Sequence, residues 1–247
     1  LVMPAFCPAA PTASSHPGAA PHPSGPGVGD EDGDVSTPSL TRLEPPLDDG
    51  AAPRAVTLML HGGTQRSTDP VGSRSASWHR MAAIQRRIAP RLHAEGIASW
   101  LLRYRVRGWN GDGSGPREDA RWALEQVRAA YGEVPVVLLG HSMGARTSAY
   151  VADDPHVAGV VALAPWWQPD DPVRALRGRH VVAAHGVADK ITSARMTRAF
   201  LVRAAGVAAS TEYVDMGRVG HYMLRRVDRW NDVAADGVLR VATTAGV

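Results

Sequence analysis

Gly140-His141-Ser142-Met143-Gly144 sets a serine between two glycines, directly after the apolar run Val136-Val137-Leu138-Leu139 and ahead of a helical pattern. A serine hydroxyl is a weak nucleophile at neutral pH. A sharp strand-to-helix turn presents it, because strained backbone angles push the side chain out above the sheet. Gly140 and Gly144 suit such a turn, since neither has a Cβ to hold strand and helix apart. The following helix offers its positive end, and the backbone N–H of Met143 is placed to donate to an oxyanion developing beside the serine. The chemistry this predicts is nucleophilic attack by Ser142. Gly-x-Ser-x-Gly alone also occurs as a plain turn, so the flanking strand and helix carry the prediction.

These residues need a scaffold, and from Arg54 onward short apolar runs alternate with amphipathic stretches, the mark of strands and helices in a mainly parallel sheet. Strands are predicted over 56–60, 97–104, 136–139, 157–163, 180–184 and 211–214. Met81, Ile84, Ile88 and Leu92 recur at helical spacing while Arg80, Arg86, Arg87 and Arg91 take other positions, so this crossover helix has one buried and one wet face. The next helix opens at Pro116, a favoured first-turn residue, and ends near Tyr131 and Gly132. Further helices are expected over 142–151, 191–205 and 221–241. The fold class is α/β, a mainly parallel twisted sheet with helices on both faces. Residues 1–50, rich in Pro, Gly, Ala, Ser and Asp, read as a disordered tail, and 51–247 as one domain. A short extended piece at 35–43 is a candidate to pair with the sheet edge.

Over about Arg54 to the C-terminus the chain resembles the α/β-hydrolase family, on the strength of the Gly-His-Ser-Met-Gly elbow and of an earlier strand ending in His61-Gly62-Gly63-Thr64. The resemblance implies an α/β-hydrolase fold, with the Gly63 amide as the second oxyanion donor and Thr64 replacing or supplementing it. Preorganised donors of this type are worth about 3–4 kcal/mol. His61 is expected to be hydrogen-bonded within its loop, without a role in proton transfer. In this fold the chain order is serine, acid, histidine. Of His156, His180, His185 and His221, only His221 follows every plausible acidic loop, and the family places its base there. Asp189 matches the family's acid loop after the penultimate strand. Asp170 and Asp171 are alternatives, Asp215 is at most a supporting group, and His180 and His185 are expected to pack at strand ends.

The connection at 164–179 is too short for a large lid domain, which disfavours an interfacially activated lipase. Trp109 and Trp166, on loops at the strand ends, are candidates with Thr64 for an apolar substrate pocket, although packing beneath the loops serves equally. The predicted substrate is a small or medium ester, cleaved through an acyl-serine. Thioesterase, peptidase, acyltransferase and cofactor-free perhydrolase chemistry share the geometry, and a catalytically silent binding protein is the rival from another class. No metal or organic cofactor is expected.

Composition sets the remaining bounds. The 247 residues, 44% hydrophobic, are enough for one full core. No run approaches the roughly 18 apolar residues of a membrane span. Cys7 is the single cysteine, which excludes an intrachain disulfide framework and a thiolate zinc site. The first 53 residues carry seven acidic side chains against one arginine, whereas the remainder is basic and Lys190 is the only lysine. The arginines are scattered rather than clustered, and with no reading motif present a nucleic-acid partner is not expected. Leu1 to Pro8 lacks the basic flank and apolar run of a secretory signal, so a cytoplasmic location is favoured.

Overall fold

The computed structural model describes residues 37–47, 51–244 and 246. Seven strands form one sheet in the order β1-β3-β2-β4-β5-β6-β7. They are β1 (Ser39–Leu43), β2 (Ala55–Leu60), β3 (Ile97–Arg103), β4 (Val136–His141), β5 (Val157–Leu163), β6 (His180–His185) and β7 (Ser210–Asp215). All neighbours run parallel except β1, which pairs antiparallel with β3, Ser39 opposite Arg103 and Leu43 opposite Ser99. The extended piece expected at 35–43 is therefore an edge strand from Ser39. The rest of the predicted tail, Cys7 included, lies outside the described residues, save for the segments flanking β1.

The central strands are buried on both faces and their side chains alternate between two cores. Val56, Leu58 and Leu60 of β2 face one cluster with Trp100, Leu138 and Phe200, whereas Ala55 and Met59 face another with Leu101, Val137 and Leu139. This two-residue period explains why β2 and β4 are continuous apolar runs. Helices α1 (Ala76–His93) and α5 (Val227–Thr244) cover the second cluster. Helices α2 (Ser114–Tyr131), α3 (Met143–Val151) and α4 (Ala194–Ala204) cover the first. Met81, Ile84, Ile88 and Leu92 of α1 all turn inward, as their spacing predicted.

Two helices start later than the sequence suggests, and both delays shape the site. The carboxylate of Asp189 accepts the amides of Ile191 and Thr192 at 2.8 and 2.9 Å. That turn defers α4 to Ala194, where Ser193 caps the Met196 amide. Residues 221–226 are likewise kept out of α5. Met223 and Arg226 have φ of 56° and 55°, and the segment is fastened by Arg80 to the Met223 carbonyl and by Arg226 Nη1 to the Met216 carbonyl. Between β5 and β6 there is only one 3-10 turn, Arg174–Leu176, so that connection forms no lid domain. No helix among the described residues is long and apolar enough to cross a membrane.

Candidate functional site

Ser142 stands between β4 and α3 with φ 53° and ψ −113°, a conformation that costs a non-glycine residue about 1–3 kcal/mol. The surroundings hold it there. Its amide donates to the Leu163 carbonyl at 3.1 Å, and its own carbonyl accepts from Arg146 and Trp166 at 3.1 and 3.2 Å. A Cβ on Gly144 would overlap the Leu60 carbonyl oxygen, and one on Gly140 would stand 2.5 Å from the Ala145 backbone. Helix α3 can thus approach β4 and β2 around the serine only with glycine at both positions.

The loops after β6 and β7 bring Asp189 and His221 to the same point. His221 Nε2 lies 2.9 Å from Ser142 Oγ and accepts the hydroxyl proton, while Nδ1 donates to Asp189 Oδ2 at 2.9 Å. Ser142 and His221 are each 6% exposed, and the Asp189 side chain is 1% exposed. Burial alone would raise the Asp189 pKa. Hydrogen bonds from His185, His221 and the Thr192 and Ile191 amides outweigh it and hold the carboxyl well below the usual range, so Asp189 is a fixed negative charge.

Two of those donors escaped the sequence reading. His185, fully buried at the end of β6, donates from Nε2 to Asp189 Oδ2 at 3.2 Å, its Nδ1 accepting from Thr197 Oγ1 at 2.7 Å. It packs at its strand end as expected, but it also bonds the Asp189 carboxylate. Thr192 donates its hydroxyl to Asp189 Oδ2 at 2.9 Å and sits 3.1 Å from His221 Nδ1. The available signals were the four-residue spacing of His185 to Asp189 and a hydroxyl three residues past the acid. The other candidates are engaged elsewhere. Asp171 is bound by Arg146, at 2.7 Å from Nη2, and by the Tyr150 hydroxyl at 2.8 Å. Asp215 accepts the Gly217 amide at 2.7 Å and faces Arg198. Asp170 is exposed, His156 faces Asp154, and His180 bonds Ser210.

On the β2 side, His61 is fully buried. Its Nδ1 donates to the Gly62 carbonyl at 2.6 Å and its Nε2 accepts the Tyr104 amide at 3.4 Å, the within-loop role expected of it. Burial brings its pKa down to about 4. A Cβ on Gly63 would strike the Arg107 carbonyl and the Met143 sulfur, so only glycine fits where this loop abuts the elbow. Among the described residues neither the Gly63 nor the Met143 amide has an acceptor, and both residues adjoin Ser142. Thr64 differs from expectation. Its amide is consumed by the Arg107 carbonyl at 2.9 Å, so it cannot replace Gly63 as a donor.

Ser142, Gly62, Gly63, His141 and His221 border a cavity of about 610 Å³, lined on the other side by α1 and by Ile191, Tyr222 and Leu224. Thr64, Trp109 and Trp166 do not line it, contrary to the predicted pocket. Trp109 is 3% exposed and packs on Tyr150 and Trp166, with the Arg146 guanidinium 4.3 and 4.7 Å from the two indole rings. Arg146, held by Asp171, packs on both indole rings by cation–π contact. His141 donates from Nε2 to the His221 carbonyl at 3.2 Å, steadying that loop, and burial beside the His221 ring lowers its pKa to about 3. Among the described residues no group of three or more His, Cys, Asp or Glu could hold a metal ion.

A parallel sheet with a strained serine at the end of its central strand, and carboxylate and histidine on two later strand-end loops, defines the class of the fold. The α/β hydrolase family model matches residues 57–245, and the chain belongs to that family. Among curated proteins none matches the sequence. Solved structures are similar in fold. An α/β serine hydrolase homologue from Coxiella burnetii superposes with a TM-score of 0.63 at 18% identity, over 83% of this chain and 93% of that one. A serine hydrolase without a lid from Xanthomonas campestris gives 0.61 at 20% identity, over 82% and 88%. The esterase Est2 of Thermogutta terrifontis, with butyrate bound, gives 0.60 at 15% identity, over 83% and 89%.

Proposed function

We propose that this protein is a serine hydrolase that cleaves a small or medium ester through an acyl-serine intermediate. The observation that carries the reading is the continuous line from Asp189 through His221 to Ser142, 2.9 Å at each step, ending at the wall of the cavity. His221 Nε2 takes the hydroxyl proton as Ser142 Oγ attacks the ester carbonyl carbon. The carbonyl electron pair moves onto oxygen, and the Gly63 and Met143 amides receive that charge. As the tetrahedral species collapses, the alcohol leaves with the proton held by His221. A water then gives a proton to His221 and attacks the acyl carbon, and Ser142 Oγ leaves and regains its proton as the acid is released. Asp189 stays ionised throughout, fixing the tautomer of His221 and stabilising its cationic form. The short connection between β5 and β6 suits a short, soluble substrate rather than a lipid droplet, and a cavity of this size is in the range of small-molecule sites.

The test is turnover of p-nitrophenyl acetate and butyrate by wild type and Ser142→Ala. Wild type is expected to hydrolyse both, and the variant to lose at least about 10³-fold in kcat. Equal turnover by the two proteins would place the activity elsewhere, and a folded wild type inert towards both would make a binding protein the better reading.

A further inference from the structure

Among the described residues the titratable groups lining the cavity are His79, Arg80, His141, His221 and Tyr222, with no carboxylate among them. Arg80 reads in sequence as part of the wet face of α1, yet it is half-buried against this cavity. Its one hydrogen bond among the described residues runs from Nη2 to the Met223 carbonyl, and its Nε is buried with no partner. Burial pulls its pKa below the ordinary guanidinium value, as befits a cation stripped of water with no counter-ion beside it among the described residues. The first turn of α1 adds to this field. Ala76 and Ser77 border the cavity, that turn holds no acidic residue, and the Ser75 side chain caps none of its amides. A helix N-terminus left in this way presents partial positive charge next to an arginine that has no carboxylate partner among the described residues.

The rest of the wall is apolar. Ile191, Tyr222 and Leu224 border the cavity although they are 60%, 62% and 72% exposed. Large apolar side chains left in water at a cavity mouth fit an apolar stretch of ligand. We propose that the substrate is an amphipathic ester bearing a carboxylate, which Arg80 and the first turn of α1 receive while the rim residues cover its apolar part. One guanidinium and one helix end match a monoanion, whereas a phosphate dianion would call for further cations. The proposal rests on the serine-hydrolase reading for its reaction, but the charge preference of the cavity is separable from it.

The experiment compares 4-nitrophenyl hydrogen glutarate with 4-nitrophenyl pentanoate, equal in acyl carbon count, in wild type and Arg80→Gln. Losing the bond to Met223 disturbs the His221 loop for both esters, so the ratio of the two kcat/KM values within each protein is the readout. Wild type is expected to favour the acidic ester about tenfold, as a hydrogen bond to a charged group warrants, with the ratio shrinking as salt is added. Arg80→Gln is expected to abolish the preference. No preference in wild type, or one that survives Arg80→Gln, overturns the proposal. Binding of the same esters to Ser142→Ala, with and without Arg80→Gln, forms the second arm. If wild type hydrolyses neither ester the hydrolase reading fails, and this arm alone decides. Tighter binding of the acidic ester that depends on Arg80 upholds the charge assignment, and equal binding refutes it.

Discussion

His61 and His141 are buried beside the serine and held neutral, and this makes the fold sensitive to mild acid by a calculable amount. Their pKa values are brought down to about 4 and about 3 by burial, against 6.5 for an unperturbed histidine. Both are bases whose folded pKa is depressed, so the unfolded chain binds more protons between these values and 6.5. Stability is fully present above pH 6.5 and falls as the pH drops through that window. At pH 5 each unfolded histidine gains about 2 kcal/mol from protonation that its folded counterpart forgoes, about 4 kcal/mol for the pair. Against a typical total of about 5–15 kcal/mol this is a large share. Urea unfolding at pH 8 and pH 5 measures it. With a slope of about 2–3 kcal/mol per molar, the midpoint should fall by about 1.3–2 M. In His141→Gln, which keeps a donor towards the His221 carbonyl and cannot titrate, about half of that loss should vanish. A midpoint unchanged between the two pH values, or a pH-dependent loss as large in His141→Gln as in wild type, would refute the reasoning.

Three further outcomes follow from the geometry. Asp189→Asn should lower kcat for p-nitrophenyl butyrate by about 10²–10⁴-fold, since the amide cannot fix the tautomer of His221, whereas Asp171→Asn should weaken folding against urea and leave the folded protein's turnover intact. His185→Leu removes one donor from Asp189 without touching the cavity, so kcat should fall about tenfold with KM unchanged, and its acidic pH–rate limb should differ from that of wild type. Gly144→Ala forces a Cβ into the Leu60 carbonyl. It should cost about 3 kcal/mol or more, seen as a lower thermal midpoint, because backbone on both sides leaves no side chain to give way.

The sheet and the serine turn were legible because their signals are local. Continuous apolar runs mark strands buried on both faces, and a glycine on each side of Ser142 is a steric requirement visible without the fold. His221 and Asp189 were reached through chain order by resemblance, and the structure sets their side chains in line with the serine. What stayed hidden depends on contacts distant in sequence. Trp109 and Trp166 do lie on loops near the strand ends, but they pack on Arg146, which Asp171 holds from a later loop. The Thr64 amide looked free until the Arg107 carbonyl, on a loop over forty residues away, proved to accept it. Helical spacing put Arg80 on the solvent side of α1 because periodicity records only the face turned to the sheet. The segment after β7, folded over the first turns of α1, makes that position a cavity wall.

The central claim is that Ser142 is an activated nucleophile, and labelling by a fluorophosphonate tests it most directly. The purified protein, Ser142→Ala and His221→Ala would each be treated with the probe, and the modified peptide mapped by mass spectrometry. The account predicts one adduct on Ser142 in wild type, none in Ser142→Ala, and labelling slowed about 10²-fold or more in His221→Ala. Folded wild-type protein that takes no label, or takes it at another residue, would contradict the account.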